Sequence, residues 1–172
     1  MARTIKTTVY NFSELSEEAK QNAINKLYDI NICHNWWEFT FEDAKNIGLE
    51  TNGFDLENDK ISKGEFMYSP NEVAANILKE HGEVCKTYLT AFNFMEEWQP
   101  IFSDYMNEES EGYESRDNES KMQQIESEFL NSLLGDYLSI LKKEYNYLTS
   151  EECIIDTIET NEYEFTEEGE LI

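Results

Sequence analysis

The sequence predicts an α+β fold, with residues 1–172 forming one predominantly helical domain that carries a small antiparallel β-sheet. Apolar residues recur every three to four positions over much of the chain, which is typical of helices packed on one face. Residues 4–12 are rich in alternating β-branched residues and indicate a strand, while residues 49–56 and 62–68, joined by a polar turn, indicate a hairpin. With 40 % hydrophobic and 13 % aromatic residues, the chain has the apolar surface that a core needs.

The first half of the chain is predicted to hold three strands and three helices. Ser16, followed by two glutamates, is typical of a helix N-cap, and Ser69-Pro70 indicates another helix start. The predicted elements are a strand at Thr4–Phe12, helices from Ser16 to about Asp29 and at Asn35–Ile47, strands at Leu49–Leu56 and Ser62–Tyr68, and a helix from Pro70 to about Gly82.

The second half is predicted to be two long helices separated by an exposed, mobile acidic loop, then a short helix and a terminal hairpin. These elements are a helix at Val84–Met106, the loop at Asn107–Ser120, a helix at Ser120–Leu148, a helix capped by Ser150, and hairpin strands at Glu162–Thr166 and Glu170–Ile172. The expected buried stripes are Val84, Tyr88, Phe92 and Met95 on the first long helix, and Phe129, Leu133, Tyr137 and Leu141 on the second.

The charge of the chain is the strongest indication of function. There are 37 acidic and 13 basic residues, a net charge of −24, and residues 151–172 hold nine acids and no base. A small domain is soluble at a net charge of about 2 to 8, so this excess favours a basic protein as the partner. It argues against direct binding of bare nucleic acid or an anionic membrane, since both repel a polyanion.

Signals for catalysis are weak. The chain lacks the phosphate-binding, dinucleotide-binding, serine hydrolase and zinc protease motifs. Cys33-His34 and His81-x₃-Cys85 are the only candidate zinc ligands, and adjacent ligands on regular structure point apart. We therefore expect no enzyme, catalytic residue, cofactor or metal. Three widely spaced cysteines and the lack of an apolar span fit a cytoplasmic protein.

Nine residues are the candidate contacts for a basic partner. Two acidic sets combine high charge density with few bases, and one tryptophan lies in an acidic setting where partial exposure is expected. They are Glu108, Glu109, Glu111 and Glu114, then Glu162, Glu164, Glu167 and Glu168, and Trp98. Trp36 and Trp37 are either core residues or a binding platform.

Three segments carry a family resemblance. Trp36–Phe66 (WWEFTFEDAKNIGLETNGFDLENDKISKGEF), Glu80–Phe102 and Tyr147–Ile172 resemble a family of small acidic proteins encoded by phages and prophages of Bacteroidetes-type bacteria. The resemblance implies phage accessory biology. Small acidic phage proteins of this kind include anti-CRISPR inhibitors, with type VI effectors among their targets, and some members of the family are labelled as antitoxins.

Charge and resemblance together favour a non-enzymatic phage-encoded inhibitor. It would bind a basic nucleic-acid-binding surface of a host defence nuclease, a CRISPR effector, and block or misdirect guide RNA or target binding. The alternative is an antitoxin-like protein that neutralises a basic toxin such as an RNase. A hydrolase or metal enzyme is a third class, which depends on the cysteine and histidine residues alone.

Overall fold

A computed structural model describes residues 8–107 and 113–172, and the side chains of 8–106 and 117–172. Within them, six α-helices and two two-stranded antiparallel sheets confirm the α+β class. In chain order the elements are strand β1 (Tyr10–Asn11), a 3₁₀ turn (Phe12–Glu14), helices α1 (Glu17–Lys26) and α2 (Glu38–Asn46), strands β2 (Leu49–Asp55) and β3 (Lys60–Phe66), helices α3 (Pro70–Glu80), α4 (Lys86–Asn107), α5 (Tyr113–Leu148) and α6 (Glu151–Thr160), and strand β4 (Glu164–Phe165).

The described residues form two compact units. We call residues 8–36 and 143–172 the terminal unit, and residues 37–107 and 113–142 the central unit. Each has a cluster of buried apolar side chains. The terminal unit buries Phe12, Leu15, Ala19, Ala23, Ile24, Ile154, Ile158 and Phe165. The central unit buries, among others, Ile47, Leu49, Val73, Ile77, Phe94, Trp98, Phe129, Leu133 and Tyr137.

The terminal unit joins the two ends of the described chain. Strand β1 pairs with β4 in antiparallel register, so that Tyr10 lies opposite Phe165. The hydroxyl of Ser16 accepts a hydrogen bond from the backbone at the start of α1, and Ser150 does the same for α6. Each cap satisfies a backbone N–H that has no partner inside its helix. Both predicted caps are confirmed.

The central unit is built around the middle of α5. Phe129, Leu133, Tyr137 and Leu141 are all buried, which confirms the stripe predicted from helical spacing. The ring centroids of Phe94 and Phe129 lie 4.1 Å apart, so α4 and α5 meet at this stack. The predicted hairpin is present as β2 and β3, with Leu49 opposite Phe66.

The predicted buried stripe of α4 is wrong at Val84 and Phe92, while Tyr88 and Met95 are half-buried. Val84 precedes the helix and is 94 % exposed, while Phe92 is 43 % exposed. The side chains that α4 buries are Thr87, Ala91, Phe94 and Trp98. Both sets have spacings of three to four residues, so periodicity alone does not choose between them. Stacking of Phe94 on Phe129 of α5 fixes the buried face.

The predicted loop at Asn107–Ser120 is wrong over most of its length. Helix α4 continues to Asn107, and α5 begins at Tyr113, seven residues before the predicted start. Residues 108–112 lie outside the described part of the chain. Lys121 and Asp117 form an ion pair of 2.5 Å one turn apart, which supports helix in a stretch of otherwise like charge.

Several boundaries in the first half differ from the prediction, most clearly those of β1 and α2. Of the predicted strand Thr4–Phe12, residues 4–7 are outside the described chain, and of the rest only Tyr10–Asn11 is strand. Phe12 begins the 3₁₀ turn, because the Glu14 carboxylate accepts a 2.8 Å hydrogen bond from the backbone N–H of Asn11. Helix α2 begins at Glu38 rather than Asn35, after a tight turn.

The predicted terminal hairpin is present only as a single bridge, between Phe165 and Leu171. The strand partner of β4 is β1, from the other end of the sequence. The predicted single sheet is therefore two sheets, one local and one joining distant segments.

Candidate partner-binding surfaces

The four glutamates Glu162, Glu164, Glu167 and Glu168 are all exposed; we call them the C-terminal acidic set. Tyr163 and Phe165 turn inward between them, since Tyr163 packs against the core and Phe165 is fully buried. This alternation points the neighbouring carboxylates outward. None of the four forms an ion pair with any residue that the structure describes.

The backbone that carries Glu167 and Glu168 is a closed turn held against α1. The N–H of Thr166 donates to the carbonyl of Glu170 at 2.9 Å. The side chain of Asn22 donates a 2.6 Å hydrogen bond to the carbonyl oxygen of Glu168. Lys26 forms a 2.6 Å ion pair with Glu170, and this ion pair lowers the pKa of that carboxyl group. These contacts fix the position of the turn.

Gly169 permits the close approach of this turn to α1. Its φ is +79°, in the left-handed region that side chains disfavour. A Cβ at this position would also collide with the carbonyl oxygen of Ala19. The turn therefore requires glycine on both conformational and steric grounds.

The C-terminal acidic set lines two concave surfaces of the terminal unit. Glu167 and Glu168 line one of about 680 Å³, together with Glu18 and the amide side chains of Gln21, Asn22 and Asn25. Glu162 and Glu164 line another of about 440 Å³, together with Glu159 and Asn11. Carboxylate and amide oxygens are acceptors, so both surfaces suit the N–H groups of lysine or arginine side chains.

The other predicted acidic set falls at the edge of the described chain. Glu108, Glu109 and Glu111 lie outside the described residues. Glu114 is within the backbone of α5, and its side chain is outside the described part. A role for these four residues stays a prediction.

The expectation that Trp98 is partly exposed is wrong. Its side chain is only 7 % exposed and stacks on Phe102 with a centroid distance of 4.4 Å. The indole N–H donates a 3.0 Å hydrogen bond to Glu126 of α5, so the polar atom of the ring is satisfied within the fold. Trp98 packs the interface between α4 and α5 and offers little surface to a partner.

Trp36 is a core residue, and Trp37 lies at the edge of the core. Trp36 is buried, and its ring lies 5.8 Å from that of Tyr145. Trp37 is half-buried against Phe54. The exposed aromatic residue nearby is Phe39, at 81 %. The bulk of this aromatic segment therefore packs against the fold.

His81, a candidate zinc ligand, lies instead in a polar cluster of the central unit. Its Nδ1 is 2.7 Å from the Thr87 hydroxyl, and its Nε2 is 3.6 Å from Oδ2 of Asp43. Tyr137 donates a 2.8 Å hydrogen bond to the same carboxylate oxygen. The interaction with His81, aided by this bond, lowers the pKa of Asp43 although partial burial opposes it.

Thr87, His81 and Asp43 contact one another in the order of nucleophile, base and acid that a catalytic triad has. The Thr87 hydroxyl is nevertheless inaccessible. Thr87 is buried, so a substrate cannot reach its oxygen. Cys33, His34 and Cys85 are exposed. Within residues 8–107 and 113–172, no group of three or more His, Cys, Asp or Glu side chains is arranged to hold a metal ion.

Sequence reasoning missed the exposed apolar side chains of α4. Leu89 and Phe92 are 51 % and 43 % exposed. The sequence predicts Phe92 in the buried stripe and makes no prediction for Leu89. Helix α4 has apolar residues on several faces, and this pattern indicates that one of those faces stays exposed.

No family model, curated protein or solved structure matches this chain. The family resemblance stays a prediction. Among the described helices, none combines the length and the apolar character that crossing a membrane would require.

Proposed function

We propose that this protein is a non-enzymatic, phage-encoded inhibitor that acts in the cytoplasm of a bacterial host. It binds a basic nucleic-acid-binding surface of a defence nuclease, a CRISPR effector, and blocks or misdirects binding of the guide RNA or target. The observation that carries the proposal is the C-terminal acidic set, whose four exposed carboxylates form no ion pair within the described residues. The turn that carries Glu167 and Glu168 is held in place by Asn22 and Gly169.

The fixed position of these carboxylates is what distinguishes them from a disordered acidic tail. A partner that binds a fixed surface loses little conformational entropy from that surface, so more of the interaction energy appears as affinity. Exposed carboxylates that form no ion pair with the described residues can accept hydrogen bonds from lysine or arginine.

The mechanism is substitution of carboxylates for phosphates. A nucleic-acid duplex presents one charge per about 1.7 Å of its axis. A single acidic helix presents about one per turn of 5.4 Å, so mimicry needs acids from several segments. The concave surface lined by Glu167 and Glu168 provides acids from two segments, because Glu18 of α1 lines it as well. The other surface adds Glu159, Glu162 and Glu164.

The experiment that tests the proposal is inhibition of a purified type VI effector loaded with guide RNA. The test variant changes Glu162, Glu164, Glu167 and Glu168 to lysine. The matched control makes the same charge change at four exposed glutamates of the central unit, namely Glu38, Glu42, Glu50 and Glu57. We expect the test variant to lose inhibition and the control to keep it.

Three outcomes would contradict the proposal. Equal loss in both variants would mean that only net charge matters, and retention in both would exclude the acidic surface. Failure of the wild type to bind the effector, combined with rescue of cells from a basic RNase toxin, would favour the antitoxin-like alternative.

A further inference from the structure

Helix α4 presents an apolar pair to solvent. Leu89 and Phe92 are both about half exposed, although α4 buries Ala91 and Phe94 on its opposite side. Residues three apart on a helix are neighbours on its surface, so these two side chains form one patch. Apolar area left in water is available for burial against another protein.

A groove lies between α4 and α5 of the central unit, on the side of Leu89 that faces away from Phe92. It encloses about 190 Å³ and is lined by Asn93 and Glu97 of α4, Ile125 and Glu128 of α5, and the edges of the stacked Phe94 and Phe129. Asn93 and Glu97 follow Leu89 by four and eight positions, so these three residues lie along one side of α4, and Phe92 lies next to Leu89 on the side away from the groove. We call Leu89, Phe92, Asn93, Glu96 and Glu97 the α4 face.

The charge of this surface is uniformly negative. Glu96, Glu97 and Glu128 are exposed, and α4 contains no base after Lys86. Glu128 accepts a 2.8 Å hydrogen bond from Gln124. Glu97 has neither a hydrogen bond nor an ion pair within the described part of the chain. The surface is therefore complementary to a segment that is both basic and apolar.

The size and lining of the groove indicate what enters it. Pockets for small molecules enclose about 300 to 1,000 Å³, so this one suits a single long side chain. Phe94 and Phe129 already stack on each other and on Trp98 and Phe66, so their role is apolar contact. The methylene stem of a lysine or arginine would pack on Ile125 and these rings, with its charged end between the two glutamates.

We infer that the α4 face and its groove dock a basic amphipathic helix of a protein partner. One lysine or arginine side chain enters the groove between Glu97 and Glu128, and apolar side chains of the same helix cover Leu89 and Phe92. The inference rests on the proposed function in one respect only, namely that the partner is basic.

The test is binding of the full-length protein to a synthetic helical peptide with leucine on one face and arginine beside it. The comparison peptide has the same composition in scrambled order. The variants are Leu89→Ser with Phe92→Ser, and Glu97→Gln with Glu128→Gln. The matched control is Glu38→Gln with Glu42→Gln, which removes the same charge from exposed positions of α2, outside both proposed surfaces. Thermal melting shows that each variant is folded.

We expect each α4-face variant to weaken binding of the amphipathic peptide at least about tenfold, which is about 1.4 kcal/mol. The control should change it less than about threefold, and the amide resonances that shift should be those of residues 89–97 and 125–132. Equal weakening in all variants, or equal binding of the scrambled peptide, would overturn the inference. Self-association of the wild type that Leu89→Ser with Phe92→Ser abolishes would also overturn it, because a second copy would then cover the face.

The two proposals fail in different ways. If the α4 variants lose the peptide while the C-terminal acidic set proves irrelevant to inhibition, the docking face stands and the proposed function falls. If inhibition depends on the C-terminal acidic set while the α4 variants bind peptide and nuclease as wild type does, only the docking face falls.

Discussion

Nδ2 of Asn22 donates a 2.6 Å hydrogen bond to the backbone carbonyl oxygen of Glu168, although 146 positions separate the two residues. The bond ties the acidic end of the chain to helix α1. The backbone of Glu168 is thereby held in place, while the carboxylates of Glu167 and Glu168 stay exposed. The distinction between a fixed and a mobile polyanion depends on this contact and on Gly169.

Replacing Asn22 with alanine is expected to loosen the acidic turn and leave the fold intact. Loss of one partly exposed hydrogen bond costs about 1 kcal/mol, and the effect should be local. Amide hydrogen exchange at Gly169 and Glu170 should become faster, and binding of the basic partner should weaken several-fold. Asn25→Ala, on the same helix and lining the same concave surface, is the control. Unchanged exchange at Gly169 would mean that Asn22 does not hold the turn.

Binding through carboxylates should be graded and sensitive to salt. A single change such as Glu164→Lys or Glu114→Lys should cost about 0.2 to 1 kcal/mol, as exposed ion pairs do, whereas reversal of all four residues of the C-terminal acidic set should abolish binding. Affinity for the purified effector, titrated at two salt concentrations, should fall steeply at the higher one. Affinity that is independent of salt would exclude a polyanion mechanism.

Reversal of Glu108, Glu109, Glu111 and Glu114 tests the other predicted acidic set in the same assay. If these residues also contact the partner, the quadruple variant should lose binding while its free energy of unfolding, measured with urea, stays within about 0.5 kcal/mol of the wild-type value. Affinity equal to that of the wild type would limit the contact to the C-terminal acidic set.

Leu133 is expected to be a major contributor to stability. Its side chain is fully buried in the core of the central unit, so Leu133→Ala should cost about 2 to 5 kcal/mol through lost apolar burial and the cavity left behind. Ile140→Ala is the control on the same helix, because Ile140 is exposed and its loss should cost less than about 0.5 kcal/mol. Urea unfolding measures both. Similar costs for the two variants would contradict the assignment of faces on α5.

Tyr137 is expected to make the free energy of unfolding decrease as the pH becomes alkaline. Burial, aided by the Asp43 carboxylate, raises the pKa of Tyr137 above its ordinary value of about 10. The unfolded chain therefore loses this proton first, so the stabilisation is complete below about pH 10 and is lost as pH rises further.

Tyr137→Phe removes the titrating group and should make the free energy of unfolding fall less steeply between about pH 9.5 and about pH 11. Urea titrations of both proteins across this range provide the comparison. The other nine tyrosines are common to the two proteins, so the difference in slope belongs to Tyr137. Equal slopes would mean that the phenol titrates normally.

Local signals in the sequence determined much of this structure. The caps at Ser16, Ser69 and Ser150 and the hairpin of β2 and β3 depend on residues within a few positions of each other, so the sequence predicts them directly. The stripe on α5 repeats over several turns, and a long amphipathic repeat leaves only one face to bury. The acidic character of residues 151–172 is likewise a property of composition.

Tertiary structure alone decided which face of α4 is buried. That helix has apolar residues on several sides, so its local pattern is compatible with more than one orientation, and packing of Phe94 against Phe129 selects one. This choice buries Trp98 and leaves Leu89 and Phe92 exposed. The pairing of β4 with β1 and the contact of Asn22 with Glu168 join distant segments. Their energies depend on chain closure and core packing, which neighbouring residues in the sequence do not encode.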